Sequence, residues 1–180
     1  TTTASSKEEI AAVMEAAGQL GVPTDDILKF TETMIKMGDT TNVSAEEAAV
    51  ALAKFTNVTG DGTANVDKLG ASIVALGNNF ATDERSIIEM SQRLAAAGKI
   101  SGLTSTDILA LAASMSSVGI EAEAGGTAMS QTLTQISKAV AEPGEKLNKL
   151  AQISGMTADQ FAEKWKEKPK LYVQSGQLVN

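Results

Sequence analysis

Almost every apolar run in this chain opens on a hydroxyl or carboxylate cap and closes near a glycine. That punctuation constrains the fold more than any other feature. A cap satisfies the free N–H groups of a helix start, and a glycine accepts the left-handed turn of a helix end. Ser5 or Ser6, with Glu8 or Glu9, opens a helix over Lys7–Ala17, which Gly18 is expected to stop. Pro23 and Thr24 open the next, with Ile27, Phe30, Met34 and Met37 at helical spacing up to an expected stop at Gly38. Ser44 and Glu47 make a capping box for a third helix on Val50, Leu52 and Phe55. A fourth is expected over Val66–Leu76, a fifth over Asp83–Ala97, and a sixth from Thr104, boxed by Asp107, to Val118. The seventh lies within Glu121–Val140, and shorter ones cover Lys146–Gln152 and Thr157–Lys166, the last boxed by Thr157 and Gln160. No stretch before residue 170 alternates with a period of two. The expected class is therefore all-α, a compact multi-helix domain of about eight or nine short to medium helices. The end, KLYVQSGQLVN, reads either as a small hairpin about Ser175-Gly176 or as a frayed helix entry.

The chain also repeats itself. VPTDDILKFTETMIKMG from Val22 aligns with LTSTDILALAASMSSVG from Leu103 at an offset of 81, matching Asp26 to Asp107, Met34 to Met115 and Gly38 to Gly119. EAAG and AAAG precede the two copies at an offset of 80, and ISGMTADQF from Ile153 echoes ISGLTSTDI from Ile100. A duplicated helical lobe explains this, with residues of about 7–60 related to about 88–140. Residues 1–152 then form a helical core, and residues 153–180 a C-terminal helix and tail, packed on that core or starting a further segment.

Composition narrows the chemistry. The hydrophobic fraction is 43%, but aromatics are only 3% and much of the rest is alanine, so elements must approach closely with little filling between them. The net charge is -7; residues 1–137 carry 8 basic and 17 acidic side chains, and residues 138–180 carry 7 and 5. An acidic body discourages DNA or an anionic membrane as partner. No apolar run approaches the length of a membrane span, so no direct membrane insertion by this segment is expected. The absence of histidine and cysteine removes the common general base, thiol chemistry and almost every zinc site.

Asp61, Thr63, Asn65 and Asp67 in DGTANVD alternate like calcium ligands, but Val66 and Ser72 stand where such a loop needs glycine and glutamate. A turn at Asp61-Gly62, with Thr63 or Asn65 capping the next helix, accounts for it better, and no metal or cofactor is expected. Gly125-Gly126 lacks the strand and the lysine of a phosphate loop, and Glu121 and Glu123 before it would repel phosphate. Two geometries remain for this pair. Either a helix starts near Glu121 and contains both glycines, pressed against a neighbouring helix, or the glycines are the turn and the helix starts near Thr127; the first is favoured. Gly119 is expected to end the preceding helix. Asn78 and Asn79 are expected to end a helix after Gly77 and to shape the turn to Asp83. Glu84 and Glu89 are five apart and point to different helix faces, so they make no glycosidase pair. Lys164, Lys166, Lys168 and Lys170 read as a solvated helix end before a nucleic-acid patch. Phe161 and Trp165 read first as a packing face and otherwise as a docking place for a further segment. No catalytic set emerges, and an enzyme is not expected.

Several phrases together resemble a known family. ILKFTETMIKMG from Ile27, SAEEAAVALAKFTNVTG from Ser44 and DKLGASIVALGNNFATDERSI from Asp67 are similar to the core region of phage tail tape measure proteins. So are SGLTSTDILALAASMSSVGIEAEAGGTAMS from Ser101 and SGMTADQFAEKW from Ser154. The tail EKPKLYVQSGQLVN departs from the acidic or alanine-rich run expected there. The resemblance implies a long, multi-copy virion protein inside the tail of a phage or prophage, present in the host cytoplasm during assembly. Such proteins set tail length, template tail-tube assembly and assist DNA ejection. The resemblance also implies self-association and contacts with tail-tube, baseplate and tail assembly chaperone proteins. On that expectation the chain, which opens TTTASS rather than with methionine, is a piece of a longer one. Even as one helix its 180 residues would reach only about 270 Å, so it is expected to be a folded node rather than the rod itself. The alternative is a soluble all-helical binding or assembly adaptor module without catalytic activity.

Overall fold

Three turns set the architecture. In each, a helix ends on a left-handed glycine, an apolar residue follows, and a new helix starts two or three residues later. The glycines are Gly21, Gly102 and Gly155, at φ 78°, 78° and 67°. Each turn closes with the same long hydrogen bond: Val22 N–H to the Ala17 carbonyl at 3.0 Å, Leu103 to Gly98 at 2.9 Å and Met156 to Ala151 at 2.9 Å. Only glycine takes that conformation without a Cβ penalty, and the apolar residue after it folds back on the finished helix. The turns join α1 (Lys7–Gln19) to α2 (Thr24–Thr40), α5 (Glu84–Ile100) to α6 (Ser105–Ser117), and α8 (Glu145–Ile153) to α9 (Ala158–Gln174).

The computed structural model describes the backbone of residues 6–174 and the side chains of residues 6–167. The described residues form nine α-helices and no strand. The remaining helices are α3 (Ala45–Thr59), α4 (Val66–Asn79) and α7 (Thr127–Ala141), the last preceded by one π-helical turn, Ala122–Gly126. Local caps fix most starts. Ser6 and Asp83 accept from Glu9 and Ser86 backbone N–H groups, and Ser44/Glu47 and Thr104/Asp107 form complete capping boxes. Thr157 and Gln160 exchange the same reciprocal pair of bonds at 3.2 and 3.0 Å. Residues 170–174 are helical, and the Ser175-Gly176 hairpin expectation falls outside the described residues.

Two expected helix stops are corrected. Gly18 and Gly38 lie inside helices, which run on to Gln19 and Thr40. Gly18 has open space around it, and the stop falls at Gly21 because Val22 after it is buried. Gly38 serves close approach: a Cβ there would sit 2.8 Å from the Ala45 backbone nitrogen at the start of α3. α4 passes Gly77 and ends at Asn79, whose side-chain amide donates back to the Ala75 carbonyl at 2.7 Å.

The main core lies among α1 to α6. Phe30, Met34, Leu52, Phe55, Ile73, Ile87, Leu94, Ile108 and Leu109 are fully buried there. Alanines 45, 48, 49, 112 and 113 are equally buried, which is how a chain poor in aromatics brings its helices together. A smaller core joins Leu133, Val140, Leu147 and Trp165, with Leu103, Leu111 and Met129 half-buried against both clusters.

Candidate interaction surface

The DGTANVD segment is a set of pins that seat α4. Thr63 does not cap α4, and Asn65, at its cap position, makes no side-chain cap bond. The Thr63 hydroxyl instead donates to Asp26 of α2 at 2.8 Å. Lys29 of α2 donates to the Ala64 carbonyl at 2.8 Å and pairs with Asp67 at 3.0 Å. That lysine holds the Asp67 carboxyl below its usual range. Asp61 reaches the other way, accepting a hydrogen bond from Ser105 at the start of α6. After α4, the Thr82 and Ser116 hydroxyls meet at 2.7 Å. Gly70 lets α4 lie close on α2, where a Cβ would stand 3.1 Å from Thr33 Cγ2 and Met37 Sδ. So α4 is a helical bridge between α2 and α6.

A polar clasp joins the start of α3 to the start of α5. The Arg85 guanidinium donates to both carboxylate oxygens of Glu47, at 3.0 and 2.9 Å, and to the Asn42 carbonyl at 2.9 Å. The Asn42 side chain donates to Asp83 at 2.8 Å and accepts from the Arg85 backbone at 3.2 Å. Arg85, with bonds from Ser44, lowers the Glu47 carboxyl to about 2. Partial burial opposes ionisation of Asp83, yet bonds from Asn42 and Ser86 leave its carboxyl below the ordinary value. The capping-box half of this clasp is visible in the sequence. Arg85, 38 residues from Glu47, carries no local signal that names its partner.

The glycine pair lies in a helical stretch. Gly119 takes φ 78° and ends α6, Glu121 stands at the start of the π turn, and Gly126 has helical φ −62° and ψ −40°. Gly126 is buried against α5, where a Cβ would lie 2.7 Å from Arg93 Cβ. Gly125 has a different neighbour: a Cβ there would collide with Ile120 in its own segment. Ser130 extends the contact with α5, donating to the Arg93 carbonyl at 2.6 Å. Glu121 and Glu123 are exposed. Gly77 also faces α5, but at its start, where a Cβ would enter the Glu84 carboxylate; Asn78 and Asn79 lie beside it at the end of α4. The two glycine sites therefore meet α5 in different places and form no common site.

A groove of about 450 Å³ opens between α6 and α7, with α9 at its edge. Leu103, Ala110, Leu111 and Ser114 form one wall, Met129, Thr132, Leu133 and Ile136 the other, and Trp165 reaches it from α9. Trp165 is buried and stacks on half-buried Phe161 with ring centroids 6.3 Å apart. Val118, at the far end of α6, is 73% exposed. Lys168 and Lys170 fall outside the described side chains. Among the described residues no helix is long and apolar enough to cross a membrane, and no group of three or more acidic side chains is placed to hold a metal ion.

What the surface offers is helix faces, pins and a groove. A family model described as phage-related minor tail protein matches residues 1–171. The match stops within the atypical tail, leaving residues 172–180 beyond it. No curated protein and no solved structure matches the chain. With all but its last nine residues matched, the chain belongs to the phage-related minor tail protein family.

Proposed function

We propose that this chain is a folded segment of a tape measure protein, the minor tail component that fixes tail length in a tailed phage or prophage. The observation that carries the reading is the minor tail family match over residues 1–171, on a chain folded as a structural helical module. On this reading tail-tube subunits assemble around the parent protein, which leaves the tail ahead of the DNA. The segment acts as a node within it, in the tail interior of the finished virion and in the host cytoplasm during assembly. Its work is structural, not catalytic. Its partners are other copies of the parent together with tail-tube, baseplate and chaperone proteins. Quantitative mass spectrometry of purified particles tests this. Peptides from residues 7–167 are expected at several copies per intact virion and depleted from tails that have ejected their DNA. Their absence from intact particles, with abundance in the host lysate, would replace this reading with an assembly adaptor.

A further inference from the structure

The two related hairpins differ in what covers them. At the offset of 81, Asp26, Lys29, Thr33 and Met37 of α2 correspond to Asp107, Ala110 and Ser114 of α6 and to Val118 just after it. In α2 this row is the seat of α4, through the Thr63–Asp26 bond, the Lys29–Asp67 pair and the close approach of Gly70 to Thr33 and Met37. In α6 no helix among the described residues lies on the corresponding row, and Asp107, Ala110 and Ser114 line the groove instead. The burial contrast is large: Met37 is 3% exposed and Val118 is 73% exposed. The setting corresponds as well. α4 lies between α2 and α6, the second helices of successive hairpins; the groove opens between α6 and α7, and α9, the next second helix, reaches its edge through Trp165.

We propose that this groove seats an amphipathic helix supplied by another polypeptide chain, of the kind that α4 supplies to the first hairpin. Its chemistry follows from the walls. Leu103, Leu111, Leu133, Ile136 and Trp165 require an apolar stripe at helical spacing. Ser114 and Ala110 are small and admit a close-lying helix. Asp107 uses Oδ2 in its own capping box, and its other oxygen accepts nothing among the described residues. The corresponding Asp26 accepts from Thr63 ahead of α4. The occupant therefore carries a hydroxyl or cationic donor just before or in its first turn. It needs no acid where α4 has Asp67, because Ala110 stands in place of Lys29.

Trp165 is the single tryptophan of the chain and lines the groove, so its emission reports occupancy. The probe is a synthetic peptide of residues 60–80 carrying D67A, titrated into the intact chain. A saturable change in Trp165 emission is expected, with half-saturation raised at least tenfold in the variant A110R/S114R. Both substituted residues are exposed, and circular dichroism checks that the variant stays folded. T132R on the opposite wall is a second blocking variant that leaves α6 untouched. An emission that does not change, or that saturates equally in the blocked variants, would overturn the proposal.

Discussion

Glycine has two roles in this chain, and single substitutions separate them. At Gly126 an added side chain meets the Cβ of Arg93, an atom fixed by the backbone of α5. Gly126→Leu is therefore expected to destabilise by about 1–3 kcal/mol through overpacking, which outweighs the helix-propensity gain of under about 1 kcal/mol. Thermal denaturation should show a lowered midpoint, and an unchanged one would contradict the close contact. At Gly77 the obstructing atoms are the carboxylate of Glu84, the end of a flexible side chain. Gly77→Ala is expected to leave the midpoint unchanged or raise it slightly, since the propensity gain of about 1 kcal/mol offsets the displacement of that carboxylate. The same duality explains why the sequence misplaces two helix ends. Gly21 and Gly18 look alike in one dimension. The buried residue after Gly21, and not the glycine itself, marks the turn. Gly38 faces the backbone of Ala45 in the next helix, so its close approach is a tertiary property that residue spacing does not express.

At the scale of elements, what is local is legible. Ser44 with Glu47, Thr104 with Asp107 and Thr157 with Gln160 are three residues apart, and each box stands in the structure where the sequence implies it. The clasp between α3 and α5 is not local, and the groove between α6 and α7 depends on how helices splay, so neither was readable from spacing. The clasp has a pH signature. Because Arg85 and Ser44 hold Glu47 at about 2, well below its ordinary 4.5, its contribution is complete above about pH 5 and is lost as pH falls toward 2. Glu47→Gln keeps a capping side chain and removes the charge. The gap in melting temperature between wild type and this variant is expected at pH 7 and should close between pH 5 and pH 2. A constant gap would assign the effect to packing. The C-terminal hairpin packs on α7 and the end of α5 through the smaller core, to which it contributes Leu147 and Trp165. Trp165→Ala is expected to cost about 3 kcal/mol and to accelerate amide exchange in α8 and α9, while α1 to α5 keep their protection. Uniform loss of protection along the chain would show instead that the two clusters unfold as one.

Across the described residues, three similar hairpins follow in order and are joined through the helices between them, α3 and α4 linking the first to the second and α7 the second to the third. Such an array is a node of short helices, very different from a continuous rod. The all-α class was legible because caps and glycines recur so often. A phage-tail association was legible from phrases such as LGNNFAT and VGIEAEAGGTA, which sit at the α4–α5 turn and the π turn. The role of the node in tail assembly is the central claim, and electron microscopy of phage particles tests it most directly. An in-frame deletion of the codons for residues 7–174 would be placed in the parent gene, and tail lengths measured on the particles produced. The account predicts that tails of uniform, wild-type length disappear, leaving none or an irregular distribution. A full yield of tails at the wild-type length would contradict it.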